Sequence, residues 1–346
     1  MCSSKSIIRL ICCCFYLFGL TVPQTLLADE LILNNGSRIL GTVGKKDNGK
    51  LEFKTDFAGT IKVNWTEIEE IHADKPMKVM LEDESIIMTS VIRNTAEVVT
   101  LEPEGDAGPV SLAQADLKLI NPEDWRLGKG YKLTGHANFA FERQRGNTDK
   151  DELDVDGDLT WRRLHDRFIA YGELEHDKNN NKKTADNWKL NGKYHRFFTK
   201  KWFYGGIVGL ESDDFADLNL RAIAGPLIGY QFFESKPLNL STEIGLMRVH
   251  EDFEEESDND YTALGWGINF DKYLFDEFMQ FYHRQTGLFS FQDHSDIVWD
   301  TWTGLRFPLV YGLVASTEIQ VEYDGGAVED ADDLDTTYKL KLGYQW

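Results

Sequence analysis

The second half of the chain alternates apolar and polar residues over stretches that are long for a soluble strand. In residues 131–141 the odd positions carry Tyr131, Leu133, Phe139 and Phe141, and polar residues stand between most of them. Such segments run to about 10–14 residues, whereas sandwich strands have about 5–6 and bilayer-spanning strands about 9–11. The alternation therefore predicts a transmembrane β-barrel with its apolar face towards lipid. A soluble sandwich is the alternative.

Twelve alternating segments are predicted in the barrel region, residues 131–346. They lie near 131–145, 151–163, 167–177, 186–197, 202–212, 218–232, 238–250, 260–272, 276–288, 295–307, 312–324 and 334–346. An even number places both termini on one side of the membrane. The connections alternate between short ones such as RLHD and FTKK and long ones such as HDKNNNKKTAD (176–186) and HEDFEEESDND (250–260). Short turns are typical of the periplasmic side.

Two further features bear on this barrel. From Trp125 onward the chain has eight Trp and twelve Tyr, whereas residues 29–122 have one Trp and no Tyr. Both side chains favour the membrane interface. Pro226 lies inside the sixth segment, where it removes a ladder hydrogen bond, so we expect a bulge or kink there.

The N-terminus has the layout of a secretory signal. Lys5 and Arg9 precede an apolar run of 13 residues, and cleavage is expected after Ala28, giving a signal peptide over residues 1–28. A retained membrane helix needs about 20 apolar residues. All four cysteines lie in this leader, so the mature chain has no thiol for catalysis or metal binding. Losing two basic residues changes the net charge from −21 to −23, which excludes nucleic acid as a partner.

Residues 29–122 contain an internal repeat. Residues 31–43 align with 79–91 at a spacing of 48, and residues 59–71 align with 108–120 at a spacing of 49. Short alternating runs between turn signals predict a small duplicated β-barrel or β-roll, with repeats at 29–76 and 77–122 and a linker at 123–130. A periplasmic spacer or docking module for an envelope partner is the favoured interpretation. Peptide or glycan capture on a sheet edge is the alternative.

The chain ends on an aromatic stripe. Apolar side chains alternate with Lys339, Lys341, Gly343 and Gln345, which predicts a lipid-facing closing strand. The stripe consists of Tyr338, Leu340, Leu342, Tyr344 and Trp346.

Three stretches carry a resemblance to a known family: GNTD (146–149), DDFADLNLRAIAGPLIGYQ (213–231) and the aromatic-ended final strand. Over residues 128–346 the chain resembles the YdiY-like salt-induced outer-membrane proteins, which form domain-of-unknown-function family 481. The repeat half is similar to a module often found ahead of such barrels. The resemblance implies localisation in the outer membrane, and the family has no settled activity. The terminal stripe also resembles the signal read by the outer-membrane assembly machinery, with Trp346 where Phe is more usual.

The predicted inward faces carry charges of both signs. They would either form a plug of mutual ion pairs or line a small water-filled pore, and the width of twelve strands leaves both open. A pore with this acid excess would favour cations. The candidate lumen charges are Asp154, Asp156, Asp158, Lys189, Lys193, Arg221, Glu318, Glu322, Lys339 and Lys341.

No catalytic, cofactor-binding or metal-binding residues are predicted. The eight histidines lack ligand spacing, and no GxSxG motif is present. His136, His195 and His283 are expected to point into the lumen as hydrogen-bonded fillers. A hydrolase built from residues on different strands remains an alternative.

Two predicted outer loops are strongly acidic, 250–260 and 324–335. A solvated, repulsive surface is the favoured interpretation, since neither loop has the glycine and spacing of a calcium loop. Weak bridging to lipopolysaccharide through Ca²⁺ or Mg²⁺ is the alternative hypothesis. Taken together, the sequence predicts an outer-membrane barrel that serves as a structural or permeability element of the envelope, and the family resemblance implies a relation to salt or osmotic stress. A narrow cation-leaning channel is the second hypothesis.

Overall fold

The computed structural model describes residues 28–105, 108–144, 150–180, 182–255, 257–292, 297–325 and 333–346. The expected signal peptide, apart from Ala28, and the GNTD motif lie outside these ranges. The chain divides between Asn121 and Pro122 into two compact units. Within the described ranges, no helix has the length and apolar character needed to cross a membrane.

The first unit is a single antiparallel sheet of nine strands. Its spatial order is β4-β3-β2-β1-β5-β6-β7-β8, and β9 pairs with both β2 and β5. Short 3-10 turns at Trp65–Glu67 and Gln114–Asp116 precede β5 and β9. The strands are Asp29–Leu33 (β1), Arg38–Asp47 (β2), Lys50–Thr55 (β3), Gly59–Asn64 (β4), Ile68–Leu81 (β5), Ile86–Asn94 (β6), Val98–Pro103 (β7), Val110–Ala113 (β8) and Leu117–Ile120 (β9).

The two sequence repeats have the same strand pairing. In the first, β1 pairs with β2 and with the start of β5; in the second, the end of β5 pairs with β6 and β9. Strand β5 crosses the predicted boundary at residues 76 and 77, so it ends one repeat and begins the next. The repeats therefore share one sheet and do not form two separate small units.

Each repeat also binds the turn of the other through one buried polar side chain. The amide of Asn94 donates to the carbonyl oxygens of Trp65 and Ile68, each at 2.9 Å. Lys46 stands 48 positions earlier, and its Nζ donates to the carbonyl oxygen of Leu117 at 2.8 Å. Since Ile68 and Leu117 are equivalent positions, the contacts are reciprocal. An apolar core that includes Leu31, Phe53, Ile71, Val79, Ile92 and Leu101 surrounds them.

The second unit is a closed antiparallel barrel of twelve strands, as predicted. The last strand closes it by pairing with β20 on one side and with β10 on the other. The strands are Lys132–Gln144 (β10), Lys150–Arg162 (β11), Asp166–Asn179 (β12), Lys182–Phe197 (β13), Trp202–Asp213 (β14), Leu218–Glu234 (β15), Leu238–Phe253 (β16), Asn259–Leu274 (β17), Met279–Ser290 (β18), Ile297–Pro308 (β19), Leu313–Asp324 (β20) and Leu334–Gln345 (β21).

Apolar side chains face outward from the barrel and charged side chains face inward. Strand β21 shows the alternation most clearly: Leu340 is 79% exposed, while Lys339 and Lys341 on either side are 6% and 5% exposed. Similar outward residues stand on the other strands, including Leu133, Phe139, Leu159, Trp161, Leu190, Val208, Ile228, Ile244, Leu264 and Ile319. No second sheet of the barrel unit covers this face in the described part of the chain, so the fold is that of a membrane barrel.

The bulge expected at Pro226 is absent. Pro226 pairs with Gly206 on β14, and the register towards β16 keeps one offset from Ala224 to Leu227. Gly225, next to Pro226, allows the two strands to approach closely at this point. A Cβ on Gly225 would lie 2.0 Å from the carbonyl oxygen of Leu246, so the two backbones approach too closely there for any larger residue.

Two predicted long loops are shorter than expected. The segment 176–186 is mostly strand, because β12 ends at Asn179 and β13 begins at Lys182. Likewise β16 extends to Phe253 and β17 begins at Asn259. Polar residues continue the hairpins beyond the apolar band and pair across the strands; His176 Nδ1 lies 3.1 Å from Asp186 Oδ1. Because these segments are rich in polar residues, the sequence predicts loops there.

A testable consequence of the repeat contacts concerns pH. Burial lowers the pKa of Lys46 to about 8 from its ordinary 10.5, and neighbouring Asp47 opposes this only partly. Between these values the unfolded chain holds the proton and the folded unit releases it, so stability rises with pH; below pH 8 the full cost of the buried charge remains. The measurement is denaturant unfolding of isolated residues 29–121. Between pH 7.5 and 10.5, the free energy of unfolding of the wild type relative to that of Lys46→Met should rise by on the order of 1–3 kcal/mol. A difference that is flat with pH would contradict the burial of this charge.

Candidate functional site

The lumen of the barrel has one charged wall and one largely apolar wall. Inward positions of β10–β13 and β19–β21 carry most of the charges. Inward positions of β13–β18 carry a buried apolar cluster, formed by Phe197, Phe203, Leu227, Met247, Val249, Tyr261, Ala263 and Leu288. Alternation along each strand places both sets inside, so the lumen is the candidate functional site.

The charged wall is organised around two lysines of the closing strand. Lys341 Nζ lies 2.6 Å from Asp156 Oδ2 and 2.7 Å from Glu318 Oε1. Lys339 Nζ lies 3.1 Å from Asp154 Oδ2 and within 3.3 Å of carboxylates of two β12 glutamates. These contacts connect β21 with β11, β12 and β20. The closing strand is therefore bound to its surroundings by ion pairs as well as by its backbone.

A second set of ion pairs crosses the lumen. Lys189 stands on β13 and its Nζ lies 3.1 Å from Asp300 Oδ2 on β19, six strands away in a ring of twelve. Lys189 also pairs with Glu322 on β20. Arg221 on β15 reaches Asp324 on β20, with 2.8 Å between Nη2 and Oδ2. These five residues, called here the cross-lumen bridge, join opposite walls of the barrel.

The end of the barrel with short turns is filled by a second group. The guanidinium of Arg162 lies 4.1 Å from the centroid of Phe197 and 5.2 Å from that of Trp125. Its Nε donates to Glu234 Oε1 at 2.7 Å. Trp125 is buried and belongs to the 3-10 helix Asp124–Leu127, so this part of the segment expected to be a linker packs against the barrel. These four residues are called here the end stopper.

Between the bridge and the stopper lies a cavity of about 240 Å³. Lys189, Arg221 and Asp300 of the bridge border it on one side, and Arg167, which lies against the Phe197 ring, borders it on the other. This cavity is called here the chamber. Its inward-facing lining includes the apolar side chains Ile207, Ile223, Leu227, Met247, Leu288 and Val298 and the aromatic side chains Tyr171, Tyr282 and Trp302.

Nine of the ten residues proposed as lumen charges take part in such ion pairs, and the tenth, Asp158, contacts the imidazole of His136. Beyond the contacts given above, Asp158 Oδ1 lies 2.5 Å from His136 Nδ1, Lys193 pairs with Glu243, and Arg221 pairs with Glu251 at 2.6 Å. The ten are Asp154, Asp156, Asp158, Lys189, Lys193, Arg221, Glu318, Glu322, Lys339 and Lys341. The arrangement is that of an ion-pair network that crosses the lumen.

The three histidines expected in the lumen are hydrogen-bonded or ion-paired there. His195 Nε2 lies 3.2 Å from Glu243 Oε2, His283 Nδ1 lies 2.8 Å from Thr303 Oγ1, and His136 contacts Asp158. Among the residues that the structure describes, no group of three or more His, Cys, Asp or Glu side chains is arranged to hold a metal ion.

Neither the apolar wall nor the end stopper is predicted from the sequence. Ile223 and Leu227 share the face of Arg221 and Gln231, a phase that had been read as polar and inward. The sequence shows that both residues are apolar, but the interior of a membrane barrel is expected to be polar. Trp125 was counted only as an aromatic residue. The terminal residues Tyr338, Leu340, Leu342, Tyr344 and Trp346 all stand exposed on the outer face.

Comparisons with known proteins give one family match. Residues 137–346 match the family described as "Protein of unknown function, DUF481". No curated protein matches the sequence.

Several solved structures are similar to this chain over much of its length. The NanC porin is 10% identical, with 61% of this chain and 97% of that chain covered and a TM-score of 0.39. The outer membrane channel DcaP of Acinetobacter baumannii is 10% identical, with 78% and 94% covered and a TM-score of 0.32. A Pseudomonas aeruginosa FadL homologue is 8% identical, with 92% and 85% covered and a TM-score of 0.27. Identities of 8–10% and TM-scores of 0.27–0.39 say nothing about the function of this chain.

Removing one buried lysine tests the ion-pair network. Lys341→Met leaves Asp156 and Glu318 buried without their cation, which typically costs about 3–5 kcal/mol. Urea unfolding of the protein refolded in detergent should show this loss, whereas Lys183→Met in an exposed pair should change stability little. Adding Asp156→Asn and Glu318→Gln to Lys341→Met should recover part of it. Equal stability of Lys341→Met and wild type would contradict a buried network.

Proposed function

Because the chain belongs to the DUF481 family and is an outer-membrane β-barrel protein, we propose that it is a structural element of the envelope whose lumen is closed by ion pairs. The observation that carries this proposal is the position of Lys189. It reaches across the barrel and binds carboxylates on two strands of the opposite wall. An open diffusion channel would need that level of the lumen to be clear.

Electrostatics explains why such a bridge keeps the lumen closed. Opposite charges about 3 Å apart attract strongly where water is largely excluded, and salt screens them less there than at a surface. A hydrated ion would have to separate Lys189 from Asp300 and Glu322 in order to pass. It would then meet the end stopper, where Arg162 is held by Glu234 and by two aromatic rings. The two closures act in series.

The second candidate function is a narrow channel that favours cations. At the level of the cross-lumen bridge three carboxylates, Asp300, Glu322 and Asp324, face two cationic groups, Lys189 and Arg221. If the bridge opens, the excess of acid would attract cations to the passage. This function requires a conformational change, whereas a closed structural barrel does not.

Several features of this proposal rest on the sequence and the family resemblance. The repeat unit at 29–121 would lie in the periplasm and dock an envelope partner, and the barrel would contact membrane lipid and lipopolysaccharide. The closing strand, with its exposed stripe ending at Trp346, would be read by the assembly machinery. A role in salt or osmotic stress follows from the resemblance alone. We propose no enzymatic activity, since His136, His195 and His283 are committed to neighbouring side chains.

Conductance in planar bilayers tests the closed lumen. Wild-type protein should give almost no steady current. Because the two closures act in series, the test variant combines Lys189→Ala with Arg162→Ala and so removes the cation of each closure. We expect at least a tenfold higher conductance from this double variant, with a preference for K⁺ over Cl⁻.

The matched control is Lys183→Ala, which removes the same charge from an exposed pair with Asp186 and Asp214. It should behave like wild type. Steady conductance by the wild type would overturn the structural proposal in favour of the cation channel. An unchanged current in the double variant Lys189→Ala, Arg162→Ala would show that these two cations do not close the lumen.

A further inference from the structure

We propose that the chamber is a binding site for an uncharged compound of one or two rings. The chamber lies between the cross-lumen bridge and the end stopper, and three bridge residues, Lys189, Arg221 and Asp300, form part of its lining. The inference goes beyond a structural role, and it rests on the proposed closure of the lumen because an open lumen would fill with water.

The size of the chamber sets the size of the ligand. Its volume of about 240 Å³ exceeds that of an engineered protein cavity of about 150 Å³ that binds benzene. A single substituted ring therefore fits, and a fused pair of rings would fill the space. Longer compounds would have to displace Lys189 or Arg167, which border the chamber at its two ends.

The apolar wall supplies the contacts for such a ligand. Ile207, Ile223 and Leu227 line the chamber from β14 and β15, and Met247 and Leu288 line it from β16 and β18. A surface of this kind offers no hydrogen bonds to water, and burial of an apolar ring against it is favourable. Methionine adapts its shape readily to different ligands.

Aromatic side chains make up part of the remaining lining. Tyr171 and Trp302 stand on opposite sides of the lumen and meet edge to face, with 5.7 Å between ring centroids. Tyr282 lines the chamber nearby, and its hydroxyl donates to Glu318 at 2.8 Å, which fixes the ring. Aromatic pairs prefer edge-to-face or offset stacking. A planar ligand would extend this arrangement, and a saturated chain of equal volume would not.

The charges that line the chamber explain why the ligand should be uncharged. Acidic and basic side chains are equal in number among the described lining residues, and the ion pairs given above engage most of them. Within the described ranges Arg167 has no carboxylate in an ion pair, but its guanidinium is already held by Gln231 Oε1 at 2.6 Å, by His195 Nδ1 and by the rings of Phe197 and Phe203. At the paired residues a charged ligand would have to break a pair, leaving one partner buried without a counter-ion. The basic members are Arg167, Lys189, Lys193, Arg221, Arg284 and Arg306, and the acidic members are Asp156, Asp158, Glu211, Glu243, Asp300 and Glu318.

The test uses mature full-length protein, refolded in detergent, and three probes with the same fluorinated ring. The probes are 4-fluorobenzyl alcohol, 4-fluorobenzoate and 4-fluorobenzylammonium, and binding is followed by fluorine NMR at constant detergent concentration. We expect saturable binding of the neutral alcohol with one site per chain. The two ions should show no saturable binding.

Two variants locate the site. Ile223→Trp fills the chamber and should weaken binding of the alcohol at least tenfold, and Ile207→Phe, a smaller change, should weaken it several-fold. The control is Ile228→Trp, on the lipid-facing side of the same strand, which should bind like wild type. Heat-modifiable migration in gels confirms that each variant is folded.

Three results would overturn the inference: no saturable binding by wild type, equal binding of the ions, or binding that Ile223→Trp and Ile207→Phe leave unchanged. The last would assign the signal to the detergent micelle. Each of these is distinct from failure of the proposed function, which is measured as steady conductance of the wild type. A closed barrel that binds no ring would leave the structural proposal intact.

Discussion

The structure depends on a constraint that a bilayer imposes on polypeptide backbone. Within lipid every backbone N–H and C=O group needs a partner in the protein, and a sheet meets this need only when it closes on itself. Strand β21 completes the closure by pairing with β10 and β20. Closure, combined with a side-chain period of two, then gives each strand one face towards lipid and one towards the lumen.

The composition of the lumen follows from this division. An acidic chain with alternating strands must place many charges inside a narrow space, and each is costly there unless it is paired. The network around Lys339 and Lys341 meets this requirement on one wall. Lys189 and Arg221 meet it by reaching the opposite wall, so their ion pairs cross the passage. The proposed closure of the lumen would then follow from charge pairing in a barrel of this width.

The barrel could be predicted in detail from the sequence, whereas its interior could not. Period-two alternation is a local property, so twelve strands and the outward direction of Leu340 could be read directly. The partner of Lys189 lies more than a hundred residues away on β19, and no local pattern reports such a distance. The apolar wall at Ile223 and Leu227 was hidden for another reason: apolar residues in the inward phase run against the expected polarity. The loops at 176–186 and 250–260 were misassigned because polar hairpins that extend beyond the membrane have the composition of loops.

The most direct test of the account is a scan of single spin labels along β21 in liposomes, with residues 29–346, which contain no cysteine. Labels at 338, 340, 342 and 344 should collide readily with oxygen dissolved in lipid, and labels at 339, 341 and 343 should not. Accessibility should therefore alternate with a period of two. Uniform accessibility to a water-soluble reagent along the whole strand would contradict a lipid-facing barrel with a closed lumen.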